Sequence, residues 1–186
     1  VYGEDESWFD DALFIGDSRM VGLSMYARLG QADYFAGVGL SVFQLFSQTA
    51  SDTDFGETDL TSLLTSRNYG KIFIMLGLNE AGYPLDSLKE RYRQDVEQIQ
   101  ELQPDAVIYL QAIMKVTMER SEQGDYITNE GIEARNAEIA KLADDRKIFF
   151  LDVNPLICDE TGGMVASYTY DGVHLKAQYI PIWLDF

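Results

Sequence analysis

A serine and the only histidine of this chain could serve as the nucleophile and the base of a hydrolase. Ser18 follows a short apolar stretch and a glycine, and residues with helical spacing come after it. We therefore expect Ser18 where a buried strand turns into a helix. There its hydroxyl is exposed, and the first free N–H groups of the helix can bind an oxyanion. Serine is also a common helix cap, so a purely structural role stays open at this point.

His174 lies three residues after Asp171 in the sequence Asp-Gly-Val-His. This spacing puts both side chains on the same side of a turn or of a helix start. The aspartate can then accept a hydrogen bond from the imidazole Nδ1–H, which leaves Nε2 free to act as a base. The alternative is that Asp171 caps a helix while His174 lies on its surface. A candidate nucleophile and the lack of any second histidine favour the catalytic interpretation.

Asn79 follows an apolar segment that predicts a buried strand. Asparagine at a strand end commonly forms a turn or a cap. Its side-chain N–H could instead donate to the oxygen of a tetrahedral intermediate. Metal chemistry has little support, because one histidine, one cysteine and scattered acids make no recognisable ligand set. We expect no metal and no cofactor.

Five apolar segments predict the strands that must position these side chains. They cover residues 12–15, 34–39, 71–76, 106–113 and 147–153. Helical periodicity predicts helices at residues 40–46, 85–102, 128–143 and 174–184, with polar loops at 51–59 and 119–126. Strands that alternate with helices predict an α/β domain whose parallel sheet is covered on both faces. Ligands of such sheets bind beyond the carboxyl ends of the strands, where three glycine-containing corners of this chain should meet.

The composition bounds the function further. A chain of 186 residues suits one domain over residues 1–186, with residues 1–11 as a lead-in segment. The net charge of −17 argues against nucleic acid and anionic membrane surfaces, because both would repel the protein. No apolar run approaches the ~20 residues that span a bilayer, so we expect no membrane insertion. The single cysteine, Cys158, excludes an internal disulfide, and the oligomeric state does not follow from the sequence.

Four sequence blocks, in order, resemble those of the GDSL (SGNH) hydrolases. They read Phe-Ile-Gly-Asp-Ser at 14–18, Gly-Val-Gly-Leu-Ser at 37–41, Gly-Leu-Asn-Glu at 77–80 and Asp-Gly-Val-His at 171–174. The resemblance runs from about residue 14 to the end of the chain. It implies a flavodoxin-like three-layer α/β/α fold with five parallel strands, and an esterase or lipase-type hydrolase without a metal.

The resemblance also implies a role for each matching residue. By position, Ser18 is the nucleophile, His174 the base and Asp171 the residue that orients the base. Asn79 and the backbone N–H groups of Ser18 and Gly39 would form the oxyanion hole. Family members often carry a second glycine three residues after the one that matches Gly39, where this chain has Val42. The resemblance therefore leaves open whether Gly39 or that valine, Val42, supplies the backbone donor.

Two further residues are candidates for binding the substrate. Arg19 directly follows the nucleophile, and it could bind a carboxylate or a sugar hydroxyl, with an ion pair to one of the many acidic residues as the alternative. Four aromatic residues lie near the catalytic pair in the sequence: Tyr168, Tyr170, Tyr179 and Trp183. Such rings can stack on a sugar, although two or more of the four are expected in the core.

These observations predict a serine ester hydrolase that removes short, acetyl-like acyl groups from carbohydrate or another polar molecule through an acyl-enzyme. Two alternatives stay open. The first is acyl transfer to a sugar hydroxyl through the same acyl-enzyme. The second is a catalytically silent domain that binds a glycan or a partner protein. The habit of the family in bacteria favours secretion or the cell envelope, and the cytoplasm is not excluded.

Overall fold

The computed structural model of the protein describes residues 6–50 and 56–185. Its centre is a five-stranded sheet of β1 (Ala12–Gly16), β2 (Asp33–Ala36), β3 (Lys71–Met75), β4 (Val107–Gln111) and β5 (Ile148–Leu151). The strands are ordered β2-β1-β3-β4-β5, and all neighbouring pairs are parallel. This is the strand order of flavodoxin-like sheets, in which the chain reverses its direction of travel at β1. The predicted five-stranded parallel sheet is confirmed.

Helices cover both faces of the sheet. The described α-helices are α1 (Ser18–Tyr26), α2 (Leu60–Ser66), α3 (Leu85–Leu102), α4 (Met118–Ser121), α5 (Asn129–Ala140), α6 (Asn154–Ile157) and α7 (Ile180–Leu184). Aliphatic side chains of α2, α3 and α5 pack on one face of the sheet. Side chains of α1, α6 and α7 pack on the other face. The molecule therefore has the three α/β/α layers that the sequence predicts. Within the described residues, no helix combines the length and the apolar character needed to cross a bilayer.

A row of five aromatic rings crosses the sheet on the face covered by α1 and α7. The rings belong, in strand order, to Tyr34, Phe14, Phe73, Tyr109 and Phe149, which are register partners on adjacent strands. Consecutive ring centroids lie 5.2, 4.6, 4.7 and 5.8 Å apart with nearly parallel planes. Cross-strand aromatic pairs stabilise a sheet, and a slip of one residue would turn every ring to the opposite face. The row therefore specifies the register of all five strands.

Two predicted helices differ from the structure because side chains capture their backbone groups. Residues 40–46 form a series of turns, in which Asn79 and Arg91 donate to the carbonyl oxygens of Leu40 and Val42 that a helix would need. Glu80 accepts the N–H of Val42. The last helix begins at Ile180 rather than at residue 174, after a 3-10 turn at Ala177–Tyr179. Ahead of that turn, the Asp171 carboxylate accepts the N–H groups of two successive residues.

Other differences are smaller. Helix α3 has the predicted bounds. Helix α5 begins directly after its cap, Thr128, whose side chain accepts the N–H of Gly131 at 3.0 Å, but it ends at Ala140 rather than at residue 143. The predicted loop 119–126 contains most of the short helix α4. The sequence analysis missed α2, α6 and a two-stranded antiparallel pair, Thr49–Ala50 with Thr58–Asp59. Residues 51–55 of the predicted loop 51–59, and residues 1–5 of the lead-in segment, lie outside the described residues.

The aromatic row yields the first prediction. Phe73 is 6% exposed and its ring stacks between those of Phe14 and Tyr109. We expect Phe73→Ala to lower the free energy of unfolding by about 3–5 kcal/mol, because it leaves a cavity in the middle of the row. Urea denaturation would measure the loss. Tyr26→Ala, at an exposed end of α1, should change stability by less than about 0.5 kcal/mol. A loss below about 1 kcal/mol for the Phe73 variant would contradict this role of the row.

Candidate active site

The candidate nucleophile lies where β1 turns into α1. The turn needs Gly16, because a Cβ there would come within 2.5 Å of the Met20 Cβ and 3.0 Å of the Met75 carbonyl oxygen. The helix cap is Asp17, whose carboxylate accepts the N–H of Arg19 at 2.9 Å. Ser18 is therefore the first residue of the helix and not its cap. Its side chain is free to point at another group.

That group is the imidazole of His174. Ser18 Oγ lies 2.8 Å from His174 Nε2, and His174 Nδ1 lies 2.6 Å from Asp171 Oδ2. The serine is thus hydrogen-bonded to a histidine whose other ring nitrogen faces a carboxylate. About half of the side chain of His174, and about half of that of Asp171, is exposed. This is the geometry in which a histidine can accept a proton from a serine hydroxyl while a carboxylate keeps its ring in position.

Several donors hold the carboxylate of Asp171. Its Oδ1 accepts the N–H groups of Val173 and His174, each at 2.9 Å, and the hydroxyl of Thr169 at 3.1 Å. Burial alone would raise the pKa of Asp171. The backbone N–H of His174, the imidazole and the N–H of Val173 outweigh burial and hold this pKa well below its usual value. Asp171 therefore stays ionised and can orient the imidazole over the whole working pH range.

Backbone donors for an oxyanion come from two adjacent turns. Gly37 donates its N–H to the Gly16 carbonyl oxygen at 3.2 Å, which holds the segment after β2 beside the Ser18 turn. Gly39, in that segment, has a φ of +79°, a conformation that favours glycine. Within residues 6–50 and 56–185, the N–H groups of Ser18 and Gly39 donate to no acceptor. Both are therefore available to bind an oxyanion.

The side chain of Asn79 adds a third donor. Its Nδ2 donates one hydrogen to the Leu40 carbonyl oxygen at 3.0 Å, which leaves the second hydrogen for another acceptor. The alternative backbone donor, the N–H of Val42, is already used, because it donates to Glu80 Oε1 at 2.5 Å. Of the two alternatives that the sequence leaves open, only Gly39 has an N–H without a partner in the described part of the chain.

Arg19 is not available to a substrate, and the expectation that it contacts one is wrong. Its side chain is 4% exposed and donates to two carbonyl oxygens, of Met114 at 2.6 Å and of Val173 at 3.2 Å. Burial lowers the pKa of Arg19 to about 10, against the opposing effects of Asp17 and Asp171. Arg19 therefore ties the loop that carries His174 to the segment that follows β4.

The four aromatic candidates separate into an exposed one and three that pack. Tyr170 is 92% exposed, and the Lys176 ammonium lies 4.2 Å from its ring centroid. Tyr168 and Tyr179 stack on each other, with ring centroids 4.3 Å apart, and Trp183 is buried. Tyr170, next to Asp171 in the chain, is therefore the most exposed member of this group.

The sequence analysis missed two further features of the structure. The first is the contact of Glu80 and Arg91 with Val42, for which the acidic residue after Asn79 was the only signal. The second is Tyr126, which is exposed and lies against Gly82, where an added Cβ would come within 3.1 Å of its ring. Two cavities, of about 400 and 490 Å³, are lined by other residues than the serine, histidine and aspartate. Residues 6–50 and 56–185 contain no cluster of three or more His, Cys, Asp or Glu suited to a metal ion.

A model of the GDSL-like Lipase/Acylhydrolase family matches residues 14–178. No curated protein matches the chain significantly.

Solved structures share the fold. A protein from Streptococcus pneumonia, described as a platelet activating factor, is 23% identical with a TM-score of 0.71, over 95% of this chain and 86% of that one. A GDSL-like lipase from Bacteroides thetaiotaomicron VPI-5482 is 16% identical with a TM-score of 0.68, over 97% and 87%. A variant of an acetyl-xylooligosaccharide esterase from Geobacillus Stearmophilus is 16% identical with a TM-score of 0.63, over 94% and 90%. At these identities the likeness shows the fold alone.

The buried position of Arg19 yields the second prediction. Arg19→Lys should lower the free energy of unfolding by about 1–3 kcal/mol, because lysine cannot reach both carbonyl oxygens and leaves a buried acceptor without a donor. The KM for a small ester should stay within about twofold. Arg93→Lys, on the exposed face of α3, is the control and should leave stability nearly unchanged. A large rise in KM without any loss of stability would instead make Arg19 a substrate contact.

Proposed function

This chain belongs to the GDSL-like lipase/acylhydrolase family of ester hydrolases, and we propose that it is a serine esterase that removes short acyl groups from carbohydrate or another polar molecule. The resemblance of the four sequence blocks to this family is confirmed by the match over residues 14–178. The observation that carries the proposal is the 2.8 Å contact between Ser18 Oγ and His174 Nε2, in series with the contact between His174 Nδ1 and Asp171.

The first half of the proposed reaction forms an acyl-enzyme. Ser18 Oγ attacks the carbonyl carbon of the ester while His174 Nε2 takes the hydroxyl proton. The carbonyl oxygen becomes an oxyanion, which accepts hydrogen bonds from the N–H groups of Ser18 and Gly39 and from Asn79. Asp171, kept ionised by its donors, stabilises the imidazolium. The bond to the alcohol oxygen then breaks, and the alcohol leaves with the proton from His174.

The second half releases the acid. A water molecule gives a proton to His174 Nε2 and attacks the acyl carbon, which forms a second tetrahedral intermediate held by the same donors. The bond between Ser18 Oγ and the acyl carbon breaks, and Ser18 recovers its proton from His174. A sugar hydroxyl in place of water would give acyl transfer, so product analysis with an added sugar separates the hydrolase from a transferase.

The surroundings of Ser18 support a short acyl group and a polar alcohol. Ser18 and His174 line neither the cavity of about 400 Å³ nor that of about 490 Å³, so neither of these would receive an acyl chain attached to the serine. The net charge of −17 disfavours anionic lipid surfaces. Two exposed rings offer apolar faces on which a sugar ring can stack: Tyr170, which precedes Asp171 in the chain, and Tyr126, which lies against Gly82. The structural neighbour described as an acetyl-xylooligosaccharide esterase supports the same choice.

The third prediction tests the nucleophile. Loss of a triad serine lowers turnover by about a million-fold, because the covalent route disappears. Ser18→Ala should therefore be inactive on a chromogenic acetate, with an unchanged melting temperature, and it should not be labelled by a fluorophosphonate. Ser24→Ala is the matched control, since Ser24 lies on the same helix and donates to the Val21 carbonyl oxygen. Turnover of the Ser18 variant within tenfold of wild type would refute the mechanism.

The fourth prediction tests the acyl group. Across chromogenic esters of rising chain length, kcat/KM should be highest at roughly two to four carbons, because each added methylene needs an apolar pocket to gain binding energy. Acetylated oligosaccharides should also be deacetylated, with acetate release as the measurement. A preference for acyl chains of ten or more carbons would contradict the proposal and favour a lipase or thioesterase.

A further inference from the structure

The segment that carries the candidate oxyanion donor is held by side chains rather than by a regular backbone ladder. We call residues 37–42 the Gly39 loop. Asn79 Nδ2 donates to the Leu40 carbonyl oxygen at 3.0 Å, and Arg91 Nε donates to the Val42 carbonyl oxygen at 3.1 Å. The N–H of Val42 donates to Glu80 at 2.5 Å. Val42 is therefore held at both of its peptide groups, three residues after the free N–H of Gly39.

Glu80 is an unusual residue for this task. Its side chain is fully buried, at 0% exposed, and its second oxygen, Oε2, has no hydrogen-bond partner among the described residues. A buried polar atom without a partner destabilises a fold, so its presence calls for an explanation. Among the described residues, the hydrogen bond that links this carboxylate to another part of the chain comes from the Gly39 loop. The burial of this carboxyl is therefore best explained by a role in holding the Gly39 loop.

The charged groups around Glu80 form no ion pair with its carboxylate among the described residues. The groups that act on it are Asp17 after β1, Tyr92 and Asp95 of α3, and Arg135 of α5. Arg135 Nη2 approaches the backbone carbonyl oxygen of Glu80, at 3.4 Å, rather than its carboxylate. Burial raises the pKa of Glu80 to about 7, and the N–H of Val42 only partly opposes this rise. The carboxyl is thus kept in the interior at a cost in stability.

We propose that Glu80 is a positioning residue, whose acceptor oxygen holds the N–H of Val42 and so keeps the N–H of Gly39 where the oxyanion forms. This inference rests on the proposed function, since it needs Ser18 as the nucleophile. The first half of the loop has few restraints of its own, because Gly37 and Gly39 carry no side chain and Val38 between them is exposed. Its position therefore depends on the second half, where Leu40 and Val42 are buried in the core. A displaced donor weakens an interaction that exists only in the transition state, so kcat should fall while KM is kept.

Two substitutions separate the acceptor from the charge. Glu80→Ala removes the acceptor, and we expect kcat on a chromogenic acetate to fall about 10- to 100-fold with KM within about twofold. Glu80→Gln keeps an oxygen acceptor of the same reach, and we expect kcat within about threefold of wild type. Asp33→Asn is the control: Asp33 is also buried, but it lies at the opposite end of β2 and bonds Tyr69 and Arg67. It should lower stability and leave kcat unchanged.

A stability measurement supplies a readout that does not depend on activity. Because folding raises the pKa of Glu80 from its ordinary value of 4.5 to about 7, the free energy of unfolding of wild type falls as pH rises from about 4.5 through about 7, and this loss is complete above that pH. Glu80→Gln has no such group to ionise. The melting temperature of this variant, relative to wild type, should therefore increase between pH 5 and pH 8.

Failure of the proposed function and failure of the positioning role of Glu80 give different results. If Ser18→Ala keeps its activity, the proposed function fails, whatever Glu80 does. If Ser18→Ala is inactive but Glu80→Ala keeps kcat within threefold, the positioning role alone is overturned. Equal losses for the Gln and Ala variants would also overturn it, since the acceptor would then not be the relevant feature. If Glu80→Ala does not fold, Glu80→Asp takes its place, because it keeps the charge but withdraws the acceptor by one methylene, and the same fall in kcat is expected.

Discussion

The site depends on one constraint, that irregular backbone at the carboxyl edge of the sheet must be held by side chains. A parallel sheet satisfies its own peptide groups through the strand ladder, and this support ends where the strands end. Beyond β1, β2 and β3 the chain of this protein turns through glycines. In the loop that carries His174, Asp171 accepts two successive N–H groups, and Arg19 donates to a carbonyl oxygen of the same loop. Asn79 and Glu80 hold the Gly39 loop in the same way.

The layers of the core give these side chains fixed points from which to reach. Arg91 and Arg135 project from α3 and α5, whose aliphatic faces pack against one side of the sheet. The aromatic row on the other side holds the five strands in register, so that the ends of β1, β2 and β3 stay level with one another. Rotation or slippage of any of these elements would move an anchor by several ångström, which is more than a hydrogen bond tolerates. The precision of the site is therefore inherited from the packing.

The sequence predicts what depends on periodicity and fails where distant side chains decide. Five strands and the bounds of α3 follow from local apolar patterns, and the four blocks locate Ser18, Asn79 and His174. The helix predicted at residues 40–46 does not form, since Glu80 and Arg91 take its peptide groups, and no local pattern reveals these contacts. The buried state of Arg19 likewise depends on carbonyl oxygens 95 and 154 residues away along the chain. Such contacts exist only after the fold has formed.

Two carboxyl groups of the site show how the number of donors decides a charge. Asp171 and Glu80 both lose solvent on folding, and burial acts to raise the pKa of each. Asp171 accepts two backbone N–H groups, a hydroxyl and the imidazole, which together reverse the effect of burial. One oxygen of Glu80 accepts the backbone N–H of Val42, while the other has no partner in the described structure. The effect of burial on the pKa of Glu80 therefore prevails over that of its hydrogen bonds. The first group must carry a charge to stabilise an imidazolium, whereas the second needs only a lone pair to hold an N–H. The environments of the two carboxyls therefore match the different tasks that the proposed mechanism gives them.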